Sequence, residues 1–252
     1  MRFDHHDLPR IGLGTNRLRN TGENVTFIRA AVDAGVRMID TAHLYTGGES
    51  EQTIGRALSP MPADVVVATK GGYGGAGHGR PQVLRNEIEQ SLQSLRVDRI
   101  ALYYLHRVDP DTPIEESLGA IKAYVDRGAI AHVGVSEVDV PLIERARGVL
   151  PIAAVQNNYS LAERKHDAVV DYCTREGIVF VPYFPLRGAD TPAVREIATR
   201  RGATPTQIAL AWLLARSPVM LPIPGTLSLE HLQENLGALE IALTDAELGA
   251  LA

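Results

Sequence analysis

A chain of 252 residues, 45% of them hydrophobic, can bury a full core and reads as one domain over residues 1–252. Its formal net charge of -5 is spread rather than gathered in blocks, which excludes a nucleic-acid footprint and an acidic tail. No apolar run approaches the ~20 residues of a membrane span, Met1 leads into RFDHHDLPR without a signal-peptide core, and Cys173 has no second cysteine to pair with, so the expected place is the cytoplasm.

In chain order, the first nine residues are polar and read as an edge segment or a loose arm. IGLGT is the first strand, where Gly12 and Gly14 let the backbone bend or a ligand come close. A loop with Asn16 and Thr21 leads to a helix from Asn24 to Ala34 that Gly35 closes. Met38 and Ile39 form a short buried strand that runs into Asp40. A polar loop with Tyr45, Gly47 and Gly48 follows, and Ser50 is the expected cap of a helix with Glu51 in its first turn. VVVATK delivers Lys70. The stretch TKGGYGGAGHGRP is too rich in glycine for core and reads as a loop carrying Tyr73; no G-K-[ST] follows to make it a phosphate cradle.

Helices are predicted from Gln82 to Leu95 and from Glu115 to Arg127, on either side of the strand IALYYLH, which ends on His106. AHVGVS ends on Ser136, Pro141 opens another helix, and AAVQNN delivers Gln156 and Asn157. A helix from His166 to Glu176 precedes VFVPYF, which delivers Tyr183. Helices Pro192–Arg201 and Pro205–Arg216 precede the last strand, VMLPIPGT, with Gly225 and Thr226 at its end. Ser228 caps the helix LEHLQENLGAL, and Thr244 with Glu247 forms a capping box for a final short helix. Eight apolar runs alternating with amphipathic helices predict an α/β fold, a (β/α)8 TIM barrel whose C-terminal strand ends meet on one face, the usual place of the active site. Asp40, Tyr45, Lys70 and His106 then converge.

These motifs, in this order, resemble the aldo-keto reductase family over essentially the whole chain: DTA with Tyr45, Gly and SE, the lysine after VVVAT, LYYLH, QNNYS, PYFPL, and IPGT followed by Glu234 and Asn235. The resemblance implies an NADPH-dependent oxidoreductase reducing a small-molecule aldehyde or ketone, with no metal, and a monomer by default. It implies that Asp40, Tyr45, Lys70 and His106 are catalytic, that Ser136, Gln156 and Tyr183 border the nicotinamide, and that residues from Gly225 and Thr226 to Glu234 and Asn235 hold the adenine-ribose end. Leu186, Arg187 and Gly188 are the expected phosphate-side contacts, and Gly14, Thr15, Asn16, Asp40 and Ile223 complete the cofactor set.

The chemistry can be argued beside the resemblance. Hydride addition leaves negative charge on the carbonyl oxygen, so a proton donor must meet it, and a phenol of reference pKa ~10 is a weak acid unless tuned. A lysine ammonium ~4 Å away contributes up to ~4 kcal/mol toward the phenolate at an effective dielectric of 20. Asp40 would hold that lysine charged and His106 would hydrogen-bond the carbonyl oxygen. Taken singly, His106 could be a satisfied core histidine and Lys70 a plain ion pair. Two other classes fit parts of the pattern: a Schiff-base lyase using Lys70, and a non-catalytic NADPH-binding redox subunit.

Three departures from the family pattern carry expectations. Glu137 follows Ser136 where many relatives have Asn, which removes one amide partner of the carboxamide. The N-terminal hairpin that plugs the barrel floor is expected to be shortened. The chain ends soon after its last helix, so an open pocket with loose substrate selection is expected. Cofactor choice is a further question, because relatives meet the 2'-phosphate of NADPH with Lys or Arg where this chain has Gly225 and His231. Thr226, Ser228, helix amides and a histidine of reference pKa ~6.5 would then hold it, favouring NADPH over NADH by a modest margin that shrinks as pH rises, with NADH possible.

Overall fold

The computed structural model describes residues 1–3 and 6–251. Strands β1 (Arg2–Phe3) and β2 (His6–Asp7) pair antiparallel. Seven parallel strands then lie side by side in chain order: β3 (Leu13–Gly14), β4 (Met38–Asp40), β5 (Val66–Gly71), β6 (Ile100–Leu105), β7 (Ile130–Ser136), β8 (Ala154–Gln156) and β9 (Val179–Phe180). The helices are α1 (Gly22–Asp33), α2 (Glu49–Leu58), α3 (Pro81–Leu95), α4 (Ile114–Asp126), α5 (Val140–Arg147), α6 (Asp167–Glu176), α7 (Pro192–Arg201), α8 (Pro205–Arg216), α9 (Leu229–Gly237) and α10 (Asp245–Ala250). This is the expected α/β barrel.

The eighth barrel member is the segment 219–225, which joins both edges of the sheet. On one side Phe180 N–H donates to Val219 O and Leu221 N–H to Phe180 O, each at 2.9 Å. On the other, Gly12 and Gly14 N–H donate to the carbonyls of Pro222 (2.9 Å) and Pro224 (3.1 Å). Neither proline has an N–H to return, so this side of the ladder is interrupted, Gly14 and Gly225 form only an isolated parallel bridge, and the segment falls short of a regular strand. Gly14 is needed for this closure: a Cβ there would lie 2.7 Å from Ile223 O. Its glycine serves the meeting of two barrel segments as well as any ligand above them.

Alternation along the strands makes two cores. Met38, Val66, Ala68, Leu102, Tyr104, Ala154, Val179, Val181, Leu221 and Ile223 fill the barrel interior, while Ile39, Val67, Tyr103, Leu105, Val133, Val135, Val155 and Phe180 face the helix layer. The interior also contains Phe3 and Leu8, 5% and 2% exposed, and the Phe3 ring lies 5.2 Å from that of His132. The N-terminal stretch is therefore not a loose arm: Phe3 and Leu8 close the barrel floor, and a short hairpin still performs the plug. Asp4 and His5 of that stretch lie outside the described residues.

Helix bounds agree with expectation to within about two residues at most ends, where caps and frayed turns decide the limit. Pro192–Arg201 and Pro205–Arg216 are as predicted, each with a threonine N-cap, and Thr244 with Glu247 forms the capping box. Ser50 is the exception. A tight turn over Tyr45–Gly48 brings α2 in two residues earlier than a Ser50 cap would, with Gly48 (φ 90°) as N-cap. Ser50 Oγ instead lies buried, 2.7 Å from Thr41 Oγ1 and 2.9 Å from Thr15 Oγ1, and donates to Thr15 O at 3.1 Å. It ties α2 to the ends of β3 and β4.

No described helix is long and apolar enough to cross a membrane.

Candidate active site

The same alternation that builds the interior core delivers the polar groups. Met38 faces inward, so Asp40 does; Val66 and Ala68 face inward, so Lys70 does; Leu102 and Tyr104 are followed in phase by His106. Gln156 follows Ala154, and Tyr183 follows Val179 and Val181, in the same phase. Each strand thus ends on a residue that caps the apolar barrel at its C-terminal mouth.

Lys70, fully buried, spends its three protons on Asp40 Oδ1 (2.6 Å), Thr41 O (2.7 Å) and Tyr45 Oη (3.3 Å). The second Asp40 oxygen accepts from Gln156 Nε2 at 2.7 Å. Burial works against the Lys70 charge, but Asp40 and Tyr45 outweigh it and hold the ammonium above its ordinary range. Burial also pushes the Asp40 carboxyl up, against the pull of Lys70 and Gln156. Both of its oxygens nonetheless accept from donors, the arrangement of a carboxylate and not of a carboxylic acid. The Tyr45 and His106 rings stand edge to face, 6.1 Å between centroids. Burial, with Lys70 and Arg107 adding to it, brings His106 down to about 2, so its imidazole is neutral, and its buried Nδ1 has no hydrogen-bond partner among the described residues.

A cavity of about 570 Å³ opens above these groups. It brings together Gly14, Thr15, Asn16, Asp40, Tyr45, His106, Ser136, Gln156, Tyr183, Leu186, Arg187, Ile223 and Gly225, all expected from the sequence. A second cavity of about 390 Å³ shares Gly14, Thr15, Asn16, Arg17 and Gly225 with it and adds Thr226, Leu227, Ser228 and His231 at the start of α9. The two form one groove from Asp40, Tyr45 and His106 to a helix N-terminus, a shape and polarity that fit an extended dinucleotide with phosphates toward α9. No group of three or more His, Cys, Asp or Glu that could hold a metal occurs among the described residues.

Three expected residues stand away from the groove. Gly188 borders a separate hollow with Leu161 and Ala162, and a Cβ on it would meet Ala162 N at 2.9 Å. Glu234 accepts from Thr204 Oγ1 at 2.6 Å and so faces α8, and Asn235 is buried beside it. Glu137 is turned away too: its Oε1 accepts from Asn158 N–H at 2.7 Å, and Lys165 Nζ reaches its Oε2 at 3.5 Å. Although burial opposes its charge, His166, the Asn158 amide and the Tyr183 hydroxyl hold its carboxyl well below the usual range. It braces Tyr183 and does not face the carboxamide position.

Sequence reasoning missed two cations. Arg17, three residues beyond β3, lines both cavities, so the phosphate end of the groove has a permanent positive charge despite Gly225 and His231. Arg107 lies beside Ser136, Tyr73 and Tyr183 in the larger cavity. Adjacency to His106 and to Gly14 was the available signal. The glycine-rich loop does reach the site: Gly72, Gly74, Gly75 and Gly77 all have positive φ, and the Tyr73 ring sits 4.8 Å from His106. Asp109 pins the far part of that loop, accepting from Gly77 N–H (3.1 Å) and Gly79 N–H (2.8 Å).

Comparison with known proteins agrees with this geometry. The model of the aldo/keto reductase family matches residues 10–192 and 189–252. An uncharacterized oxidoreductase of Schizosaccharomyces pombe is 37% identical over 93% of this chain and 83% of its own length. Pyridoxine 4-dehydrogenase of Escherichia coli is 34% identical, covering 96% of this chain and 93% of its own. Among solved structures, an aldo-keto reductase from Klebsiella pneumoniae in complex with NADPH superposes with a TM-score of 0.87 at 30% identity, over 97% of this chain and 90% of that one. With the barrel, the charged cluster at its mouth and matches that span nearly the whole sequence, the chain belongs to the aldo/keto reductase family.

Proposed function

We propose that the protein is an NADPH-dependent reductase of aldehydes or ketones, with Tyr45 as the proton donor. The observation that carries this is the hydrogen-bonded series Gln156–Asp40–Lys70–Tyr45, which ends on a cavity-lining phenol that stands beside His106 and is bonded to the buried lysine. Bound NADPH would supply the hydride. The chain's own groups do the rest. Tyr45 Oη gives its proton to the carbonyl oxygen as charge develops there, and Lys70 donates to the phenolate left behind. Asp40 keeps Lys70 charged and aimed. Neutral His106 can hydrogen-bond the same oxygen without itself carrying charge. Lys70 is buried with all its protons committed, which speaks against a Schiff-base nucleophile.

For the cofactor, Ser136, Gln156 and Tyr183 would receive the nicotinamide, Arg187 and the turn at Leu186 the pyrophosphate, and Arg17, Thr226, Ser228 and His231 the 2'-phosphate. NADH would be accepted more weakly. The same proposal has the protein act as a monomer in the cytoplasm, a setting in which the single buried thiol of Cys173 stays reduced. A panel of short aliphatic and aryl aldehydes tests the function: NADPH should be consumed in step with alcohol formed. NADPH binding without turnover of any member would favour a cofactor-binding subunit and refute the reductase.

A further inference from the structure

The larger cavity holds more positive charge than carbonyl reduction requires. Arg17, Arg107 and Arg187 line it, and none of the three forms an ion pair among the described residues. Among the described residues the only carboxylate in its lining is Asp40, already engaged by Lys70 and Gln156. Arg187 lies over the Phe184 ring, and Arg17 lies toward the phosphate end, where it also lines the smaller cavity. Arg107 follows His106 directly and stands at the reacting end.

Its surroundings fix it there. Arg107 Nη1 donates to His106 O at 2.7 Å and to Ser136 Oγ at 3.0 Å, and Nη2 reaches Tyr183 Oη at 3.4 Å. The guanidinium carbon lies 5.4 Å from the centre of the Tyr73 ring, whose other neighbour is His106 at 4.8 Å. A half-buried guanidinium is thus held by neutral acceptors and aromatic faces, with its remaining N–H groups uncommitted among the described residues. A cation kept partly out of water with no carboxylate in direct contact among the described residues, Glu137 lying one hydroxyl away across Tyr183, is costly, and an anionic ligand group would offset that cost.

We propose that Arg107 is a specificity residue that selects carbonyl substrates bearing a carboxylate. This rests on the reductase function proposed above. The carbonyl would meet Tyr45 and His106, while the carboxylate, one aryl ring or a short chain away, would meet Arg107 across Tyr73. Nicotinamide is uncharged at its carboxamide and would leave the Arg107 charge unpaired, so the substrate is the group that can complete the site.

The test compares isosteric pairs: 3- and 4-formylbenzoate against 3- and 4-formylbenzamide, and 4-oxobutanoate against 4-oxobutanamide. The quantity read is the ratio of kcat/KM for acid over amide, so any general loss in a variant cancels. In the wild type at low salt the ratio should be tenfold or more for at least one pair, equivalent to about 1.4 kcal/mol. It should fall toward one in Arg107→Met, recover in part in Arg107→Lys, and shrink in the wild type as ionic strength rises. A wild-type ratio near one, a ratio that survives Arg107→Met, or a rise in KM for NADPH with the ratio unmoved would overturn the proposal. Reduction of the amides with no preference for the acids sinks the Arg107 role alone, whereas failure to reduce any member sinks the reductase function itself.

Discussion

Replacing Lys70 by methionine removes the charge on which the cluster depends while keeping its length and most of its volume. Across the 3.3 Å from Lys70 Nζ to Tyr45 Oη, a full unit charge would favour the phenolate by about 5 kcal/mol at an effective dielectric of 20. Asp40, 2.6 Å from the same Nζ, cancels much of that, leaving a net effect of roughly 2 kcal/mol, or about thirtyfold in rate. Initial rates of NADPH oxidation with a saturating aldehyde, followed across pH, should show kcat reduced by about that factor and the alkaline limb of the profile moved upward. Stability should respond as well. Without Lys70, burial holds the folded Asp40 above its unfolded value of about 3.9, so the native state binds more protons than the unfolded one between the two values. The variant should therefore lose stability relative to wild type as pH rises through that window, and adding Asp40→Asn should remove the dependence. A pH profile superposable on wild type, with kcat within threefold, would show that Lys70 only fills space.

Arg17→Met should lower the NADPH-over-NADH preference several-fold; KM values for both cofactors would show it, and a preference unchanged in Arg17→Met would remove that residue from the phosphate site. Asp109→Asn should loosen the loop that carries Tyr73. Burial opposes the Asp109 charge, but the Asp111, Gly79 and Gly77 amides and the Thr112 hydroxyl outweigh it and bring the carboxyl to about 2. Its stabilisation, of order 1–2 kcal/mol, is full above its unfolded value of about 3.9 and is lost as pH falls toward 2. Amide exchange at Gly77 and Gly79 should quicken in the variant, and unchanged exchange would mean the loop is held elsewhere.

Much of this architecture was legible because barrel strands are short and each ends on a polar group. Asp40, Lys70, His106 and Gln156 stand out in sequence as polar ends to apolar runs, and their common inward phase brings them together. The eighth segment was legible as an apolar run, but its two prolines make it irregular. What escaped was set by contacts between distant parts of the chain. Phe3 and Leu8 are too sparse among polar neighbours to announce a plug. Ser50 has the composition of a cap and the environment of a buried tie between elements. Arg17 and Arg107 lie just past strand ends, where alternation no longer says which way a side chain turns. Glu234 resembles a ligand residue in sequence, yet Thr204 lies close enough to take it.

The place of Tyr45 at the end of the charged series is open to one decisive measurement. Tyr45→Phe deletes a single oxygen that touches Lys70 and the cavity but holds none of the rest of the groove. Fluorescence titration should give NADPH binding within about threefold of wild type, while single-turnover reduction of an aldehyde by the bound cofactor falls at least ~10²-fold, the usual contribution of a general acid. Retention of more than a tenth of the wild-type rate, with binding intact, would contradict Tyr45 as the proton donor.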